Sequence, residues 1–422
     1  MANKRKLTRR EFVSKTTRGA LALGAGMAVA RPWARVLGAN DRIRLGVIGP
    51  GGRGRALMRA TKAIPSVELA AVCDVYDENA RRALEMTDGK AQRFTDYRRL
   101  LDSKDLDGVI IGTPDHWHAP MIIDSVSAGK DIYCEKPMTH KLDEGPKIIE
   151  AVGASDRIVQ IGMQQRSWDL FIRGREIVKS GHLGKIALVN TWWYQNAYRG
   201  TRRMDLKAPK PPGLDWDRWM GSAPKHDYEV ARFRQWRHFR ASGGGGLTDL
   251  LTHLIDVVQW YTGAATPASA MALGGNYQLK HWEWPETVTA ALEYPEGFSV
   301  NYSQSYITRH EGHRITFRGT LATLEINRSQ LAVYEEGTRD IPSPLYEDEV
   351  MPANRRPVIQ MKSIQDGTFP HLRNFVDCMR SRKEPNAPVT IGHEAVRGPH
   401  LANMSYLKGR KIRWDAERNQ PV

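Results

Sequence analysis

The fold of this chain is decided by residues 43–62, which read IRLGVIGPGGRGRALMRATK. An apolar run leads into a G-x-G-x-x-G turn, and a stretch with helical spacing follows it. In that setting Gly49 makes a tight turn, Gly51 lets a pyrophosphate approach the backbone, and Gly54 lets the helix pack on the strand. The stretch predicts a dinucleotide-binding unit with contacts from Gly49, Pro50, Gly51, Gly52, Arg53 and Gly54.

An acid ends the next apolar run. Asp74 follows Val67–Cys73 and lies 20 residues after Gly54. A carboxylate there accepts hydrogen bonds from the ribose hydroxyls of NAD and repels the 2′-phosphate of NADP. Arg53 and Arg55 lie close enough to weaken this preference. NAD is therefore the predicted cofactor, with NADP less favoured.

Apolar runs and helical stretches alternate over the first part of the chain, which predicts a parallel sheet covered by helices. The predicted strands are Ile43–Ile48, Val67–Cys73, Gly108–Ile111 and Asp131–Cys134, and the predicted helices are Arg53–Lys62, Glu78–Met86, His118–Ala128 and Asp143–Val152.

Two polar segments lie at the ends of later strands, where ligands bind in this architecture. Residues 112–118 read GTPDHWH, and residues 135–137 read EKP. His116 and His118 lack a third ligand at suitable spacing, so no metal site is predicted. Lys136 is either one half of a surface pair or a buried lysine that bonds a substrate oxygen.

The first forty residues are strongly basic. They hold nine lysines and arginines and one acid, and so carry about half of the net charge of +15. Arg9-Arg10 precedes the small, weakly apolar run 19–30. This pattern resembles a twin-arginine export signal, so we expect a periplasmic or otherwise extracytoplasmic protein. The alternative is a basic arm that binds nucleic acid, which leaves the apolar run unexplained.

The composition excludes several classes of protein. Of the 422 residues, 41% are hydrophobic and 26% are charged, which is typical of globular domains. The 3 cysteines encode neither a disulfide framework nor a zinc site. No apolar run is long enough for a stable membrane span. The remaining positive charge is dispersed without a nucleic-acid motif, so no nucleic-acid partner is expected.

The chain after Asp41 resembles the Gfo/Idh/MocA family, named for glucose–fructose oxidoreductase, inositol dehydrogenase and rhizopine catabolism. The markers are the glycine turn, Thr113-Pro114 with His118, the segment 135–137, and residues 244–249 (GGGLTD) with His253 and Asp256. The resemblance implies an N-terminal Rossmann dinucleotide-binding domain and a C-terminal α/β domain with a large, mostly antiparallel sheet. After the export signal expected over 1–40, it implies an NAD(P)-binding domain over 41–163, a substrate-binding and oligomerisation domain over 164–422, and a homodimer or homotetramer.

The second domain has its own predicted elements. Its predicted strands are Lys185–Tyr194, Ser269–Leu273, Thr287–Tyr294, Phe298–Tyr306 and Arg314–Gly319, and its predicted helices are Phe369–Cys378 and Ala395–Leu407. The polar segment Gly200–Arg240 reads as an insertion or a lid.

A helix opening at Gly246 would place Asp249 and His253 on one face, as a catalytic pair or as a surface pair that supports the helix. The resemblance implies Lys136 near the reacting oxygen, His253 as general acid and base, and Asp249 bonding the substrate or the imidazole. It places Thr113, Pro114, His118, Glu135 and Gln164 on the cofactor side. The tryptophan excess in the second half predicts a carbohydrate cleft. The predicted substrate contacts are Lys136, Arg166, Trp192, Tyr194, Trp236, Asp249 and His253.

Three functions remain open at this point. The first is an exported oxidoreductase that oxidises a secondary hydroxyl of a sugar and recycles a tightly bound cofactor, since no free NAD pool is expected outside the cytoplasm. The second is a redox-neutral glycosidase that uses bound NAD for transient oxidation and elimination. The third is a non-catalytic nucleotide- or sugar-binding protein.

Overall fold

The computed structural model describes residues 42–336, 356–363 and 365–422. The predicted export signal, residues 1–40, lies outside them. No helix in the described ranges is long and apolar enough to cross a bilayer. Contacts group Ile43–Val422 into one unit, so the boundary between residues 163 and 164 stays a prediction.

The first sheet is parallel and has six strands. They are β1 (Ile43–Ile48), β2 (Val67–Cys73), β3 (Gln92–Phe94), β4 (Gly108–Ile111), β5 (Asp131–Cys134) and β6 (Val159–Ile161). Their order is β3-β2-β1-β4-β5-β6, so the chain reverses direction across the sheet between β1 and β4. Ligands of such sheets bind outside the carboxyl ends of the strands at this reversal.

Helices connect these strands, as the alternation predicts. They are α1 (Gly52–Lys62), α2 (Asp77–Met86), α3 (Tyr97–Leu101), α4 (His118–Ser127) and α5 (Glu144–Gly153), with 3-10 turns at Asp115–Trp117 and Gln164–Ser167. The four strands predicted for this part have their predicted bounds. Three of the four predicted helices differ by one residue at one end, and the fourth differs by one residue at both ends. The Rossmann fold of the first part is confirmed.

Within the described residues the second sheet has ten strands. They are β7 (Ile186–Tyr194), β8 (Ser269–Gly275), β9 (Thr287–Tyr294), β10 (Phe298–Ser305), β11 (His313–Gly319), β12 (Ala322–Ile326), β13 (Gln330–Glu335), β14 (Ile359–Lys362), β15 (Ile412–Asp415) and β16 (Gln420–Pro421). Their order is β14-β13-β12-β11-β7-β10-β9-β8-β15-β16. Among the strands described for this sheet only β7 and β10 pair in parallel, so the predicted mostly antiparallel sheet is confirmed. The last five strands were not predicted, because short strands depend on partners distant in sequence.

Longer helices cover one face of this sheet. The helices of the second part are α6 (Asp169–Lys179), α7 (Tyr198–Thr201), α8 (Trp216–Met220), α9 (Val230–Arg234), α10 (Thr252–Thr262), α11 (Thr368–Ser381) and α12 (Val389–Lys408). Buried side chains of α10, such as Leu254 and Val258, form one core with Val300 of β10 and Phe317 of β11. A π-helical turn, Leu247–Leu251, leads into α10 and carries part of the site described below.

The predicted insertion includes a segment that crosses to the first sheet. We call residues 211–237 the strap. Near the end of β2, the Asp77 amide donates to the Gly213 carbonyl at 2.9 Å, and the Asp215 amide donates to the Val75 carbonyl at 2.9 Å. Tyr76 joins strap residues in a small hydrophobic core with Leu214, Trp216, Trp219, Met220 and Phe233. The strap is thus anchored beside the carboxyl end of β2.

Candidate active site

The glycine turn after β1 is packed on two sides and open on the third. Gly49 has a φ of +73°, and a Cβ there would lie 2.7 Å from Cγ2 of Thr113. A Cβ on Gly54 would lie 2.4 Å from the Gly49 carbonyl oxygen, so only glycine lets α1 approach β1. Gly51 has no atom within 4 Å of its Cβ position. The open side leaves room for a pyrophosphate at the start of α1.

A long cleft of about 1230 Å³ follows the carboxyl ends of the strands. We call it the cofactor cleft. One wall is the first sheet and its turns, and the other is the strap. The predicted cofactor residues on its walls are Gly49, Gly51, Gly52, Arg53, Asp74, Thr113 and Pro114. Pro50, Gly54 and His118 are buried and do not line it.

Asp74 lies in this cleft with its carboxylate held by the backbone. Its Oδ1 accepts a hydrogen bond from the Tyr76 amide at 2.9 Å. Burial raises the pKa of Asp74 to about 6, so the group is mostly ionised at neutral pH and can accept ribose hydroxyls. Arg55 reaches the Asn79 side chain beside it at 3.3 Å. Arg53 instead bonds Glu135, so of the two arginines only Arg55 bears on the choice of cofactor.

A smaller cavity of about 210 Å³ adjoins the cleft. We call it the reaction cavity. It shares walls at Arg53, Gly112, Thr113, Trp236 and Arg237 with the cofactor cleft. Its other lining residues are Glu135, Lys136, Gln164, Trp193, Asp249, Leu250, His253 and Arg328. The structure therefore brings all three predicted catalytic residues together.

Lys136 and Asp249 form a nearly buried ion pair. The Lys136 Nζ donates to Asp249 Oδ1 at 2.5 Å and to the Asp249 carbonyl at 2.8 Å. Arg237 Nε lies 3.4 Å from the other carboxylate oxygen. Burial alone raises the pKa of Asp249, but Lys136 and Arg237 outweigh it and hold that pKa below its ordinary value. Asp249 is therefore an anion that orients the Lys136 ammonium.

His253 is oriented by a glutamine rather than by Asp249. Its Nδ1 lies 3.1 Å from Gln165 Oε1, and an amide oxygen can only accept. The imidazole proton therefore lies on Nδ1, which leaves Nε2 as a free base. Burial, followed by the charge of Lys136, lowers the pKa of His253 well below its ordinary value. The neutral ring suits removal of a hydroxyl proton.

Asp115 is a buried acid that the sequence did not single out. It is 2% exposed and follows Pro114 on the cofactor side. Burial and the neighbouring Asp249 raise the pKa of Asp115 to about 8. At neutral pH it is thus mostly an uncharged carboxylic acid, and Asp249 is the anion of this pair.

Three predicted substrate contacts do not line the reaction cavity. Arg166 forms a buried ion pair with Asp256, with Nε 2.7 Å from Oδ1. Trp192 and Tyr194 lie on the opposite face of β7, where the Tyr194 hydroxyl donates to Ser303. Successive side chains of a strand point to opposite faces, so Trp193 enters the cavity instead. Trp236 lies where it was expected.

His118 supports the site from behind. Its Nδ1 lies 2.7 Å from the Pro137 carbonyl and its Nε2 lies 3.0 Å from the Thr113 carbonyl. It thereby ties the loop after β4 to the loop after β5. In the described ranges no group of three or more histidines, cysteines or acids is arranged to hold a metal ion.

Other residues of the cavity wall were not among the predicted site contacts. Trp193 stacks on His253 with ring centroids 5.8 Å apart, and Arg237 and Arg328 are partly buried cations of the same cavity wall. Gln165 was not among the predicted site residues. Of these residues only Trp193 had a signal in the sequence. It lies in a predicted strand, and the alternation of side chains along a strand leaves only two possible faces for it.

Comparison with known proteins gives two family matches. Residues 43–163 match “Oxidoreductase family, NAD-binding Rossmann fold”, and residues 217–325 match “GFO/IDH/MocA C-terminal domain”. Together these matches cover more than half of the chain.

Among curated relatives, the inositol 2-dehydrogenase of Rubrobacter xylanophilus is 30% identical over 200 residues, which are 46% of this chain and 53% of the relative. The levoglucosan dehydrogenase of Pseudarthrobacter phenanthrenivorans is 26% identical over 238 residues, 55% and 54% of the two chains. This chain spans about half the length of the curated relatives it matches.

A solved structure is similar over a larger share of the chain. Levoglucosan dehydrogenase in complex with NADH and levoglucosan superposes with a TM-score of 0.68 at 18% identity, over 88% of this chain and 99% of that one. At this identity the similarity concerns the fold.

Proposed function

Because the chain belongs to the GFO/IDH/MocA family of oxidoreductases, we propose that it is an NAD-dependent enzyme oxidising a secondary hydroxyl of a sugar or sugar derivative. The observation that carries the proposal is the reaction cavity. Lys136, Asp249 and His253 converge there, where the cavity adjoins the cofactor cleft at Thr113.

The side chains divide the chemistry among them. NAD bound in the cofactor cleft would supply the hydride acceptor for the substrate carbon. The free Nε2 of His253 takes the hydroxyl proton, since Gln165 holds the other ring nitrogen protonated. The Lys136 ammonium donates to the substrate oxygen and stabilises the charge that develops on it. Asp249 holds that ammonium in place at 2.5 Å.

We further propose that the cofactor is retained between turnovers. The strap forms a wall of the cofactor cleft, and backbone hydrogen bonds anchor it beside Asp74. The Trp219 carbonyl also accepts a hydrogen bond from Trp117 Nε1 at 2.9 Å. Release of a nucleotide would require these contacts to open. Retention fits export by the twin-arginine route, which the sequence of residues 1–40 supports and which carries folded proteins.

We also propose a homodimer or homotetramer that uses the outer face of the ten-stranded sheet. Met271 and Leu273 of β8 are exposed there by 39% and 64%, and exposed apolar side chains on a broad sheet favour association. Light scattering on the purified protein measures the mass, and a monomer would contradict this assignment.

The absorbance spectrum of the purified protein tests the activity. A band near about 340 nm should appear when a substrate sugar is added and disappear with a keto acceptor. Release of an aglycone from a glycoside without a lasting band would establish the glycosidase alternative instead. A protein with no bound nucleotide and no turnover would refute both. Fractionation of cells that express the full chain tests export, and cytoplasmic retention would contradict it.

A further inference from the structure

The reaction cavity holds more positive than negative charge. Its cationic side chains are Arg53, Lys136, Arg237 and Arg328, and its carboxylates are Glu135 and Asp249. Neutral His253 adds no charge. The nearby Asp115 is mostly protonated at neutral pH. Two positive charges therefore remain without a matching carboxylate on the cavity wall.

Three of the four cations are already paired. Arg53 Nε lies 2.8 Å from Glu135 Oε1. Lys136 and Arg237 share the carboxylate of Asp249. Arg328 differs, because no carboxylate of the described ranges lies within ion-pair distance of it. Asp366 influences its charge from a greater distance and accepts the Thr368 amide.

Arg328 packs against an aromatic ring but has an unsatisfied hydrogen-bond donor. It lies in the turn between β12 and β13, with its guanidinium carbon 4.7 Å from the centre of the Trp193 ring. Its Nε is buried and has no hydrogen-bond partner. Burial lowers the pKa of Arg328 to about 10, so the group stays charged at neutral pH. A buried guanidinium nitrogen without a hydrogen-bond partner is costly unless a ligand satisfies it.

We propose that the substrate is an acidic sugar whose carboxylate is bound by Arg328. The inference rests on the proposed function and specifies its substrate class. A guanidinium presents a planar fork that matches a carboxylate, and Arg328 is the one cavity cation without a carboxylate partner among the described residues. Arg53 Nη2 also lacks a hydrogen-bond partner, but Arg53 already pairs with Glu135, so the cation left without a carboxylate matches a monoanion rather than a phosphate dianion. The cavity of about 210 Å³ suits one sugar ring.

Binding and turnover of matched sugars test the proposal on the NAD-loaded protein. The pairs are D-glucuronate with D-glucose, D-galacturonate with D-galactose, and D-mannuronate with D-mannose, which differ only in the carboxylate. We expect at least one uronate to bind more tightly than its neutral partner by about 10- to 100-fold, the range of a charged hydrogen bond. If no uronate binds better than its partner, the proposal is overturned. Tighter binding of glucose 6-phosphate than of any uronate would also overturn it.

The variant Arg328→Gln identifies the residue responsible. We expect the variant to lose the preference for the uronate, so that the ratio of uronate affinity to neutral-sugar affinity falls to about one. Arg318→Gln is the matched control, since Arg318 is exposed on β11 of the same sheet. An equal loss for acidic and neutral sugars would show a structural role and contradict the assignment. Uronate binding without any cofactor reduction would refute the proposed oxidation and uphold the acidic-sugar site.

Discussion

The change Lys136→Met separates the chemical role of the Lys136–Asp249 pair from its structural role. The side chains of the two residues are only 10% and 11% exposed. Methionine keeps the length of the lysine and removes its charge. The variant therefore loses the donor to the substrate oxygen and also leaves the Asp249 carboxylate with Arg237, 3.4 Å away, as its remaining cation.

Two separate losses are expected. A charged hydrogen bond is worth about 1.5–3 kcal/mol, and a donor to an oxygen that gains charge in the transition state contributes about 100- to 1000-fold in rate. We therefore expect kcat to fall by at least about 100-fold. Leaving one member of a buried ion pair unpaired typically costs about 3–5 kcal/mol of unfolding free energy, and the half-exposed Arg237 places the expectation at the lower end.

The double variant Lys136→Met/Asp249→Leu separates these losses. It removes both charges, so stability should return to within about 1–2 kcal/mol of the wild type, while activity stays lost. Turnover is followed by nucleotide absorbance, stability by denaturant unfolding, and bound nucleotide by its release on denaturation. Lys185→Met, on the exposed start of the second sheet, is the control. Activity above about a tenth of wild type in the single variant would refute the role of Lys136.

Four further changes test other parts of the argument. His253→Ala should lower kcat about 100- to 10,000-fold with nucleotide still bound; a wild-type rate would exclude it as the base. Asp74→Ala should weaken NAD at least about tenfold relative to NADP, measured by titration of nucleotide-stripped protein; an unchanged ratio would contradict the ribose contact. Gly54→Ala should lower the melting temperature and the bound nucleotide content, because its Cβ would meet the Gly49 carbonyl oxygen at 2.4 Å; normal values would contradict the close packing. Burial lowers the pKa of His116 from 6.5 to about 4, so the neutral ring stabilises the fold above pH 6.5, and this contribution is lost as the pH falls towards 4. His116→Gln should therefore weaken the dependence of the unfolding free energy on pH in this range. An unchanged pH profile would contradict the contribution of His116.

Short stretches of sequence were enough to predict the first sheet. Residues 43–62 contain a complete strand, turn and helix, and the glycine spacing is a local steric requirement that the packing of Gly54 on Gly49 confirms. The residues for proton transfer were named from the resemblance, and the structure brings Lys136, Asp249 and His253 into one cavity. Their roles in catalysis stay predictions until the variants are measured.

The sequence could not predict which aromatic residues line the reaction cavity. Trp192 and Trp193 are adjacent in the sequence, and either could line a sugar cleft. Adjacent side chains of a strand lie on opposite faces of the sheet, so only one of the two can do so. The pairing of β7 with β10 and β11 sets which face is covered by α10. That choice placed Trp193 against His253 and left Trp192 outside.

The sequence by itself determined the Rossmann unit and the cofactor acid, because those signals lie within one or two elements, and the candidate catalytic residues followed from the family resemblance. Only the tertiary structure decided their partners. Lys136 meets Asp249 across 113 residues, and His253 meets Gln165 across 88. Among the described residues, Arg328 is identified as the cavity cation without a carboxylate only when the partners of the other cavity cations are known from the structure. Charge balance in a buried site is a property of all the groups that meet there, and no local pattern encodes that sum.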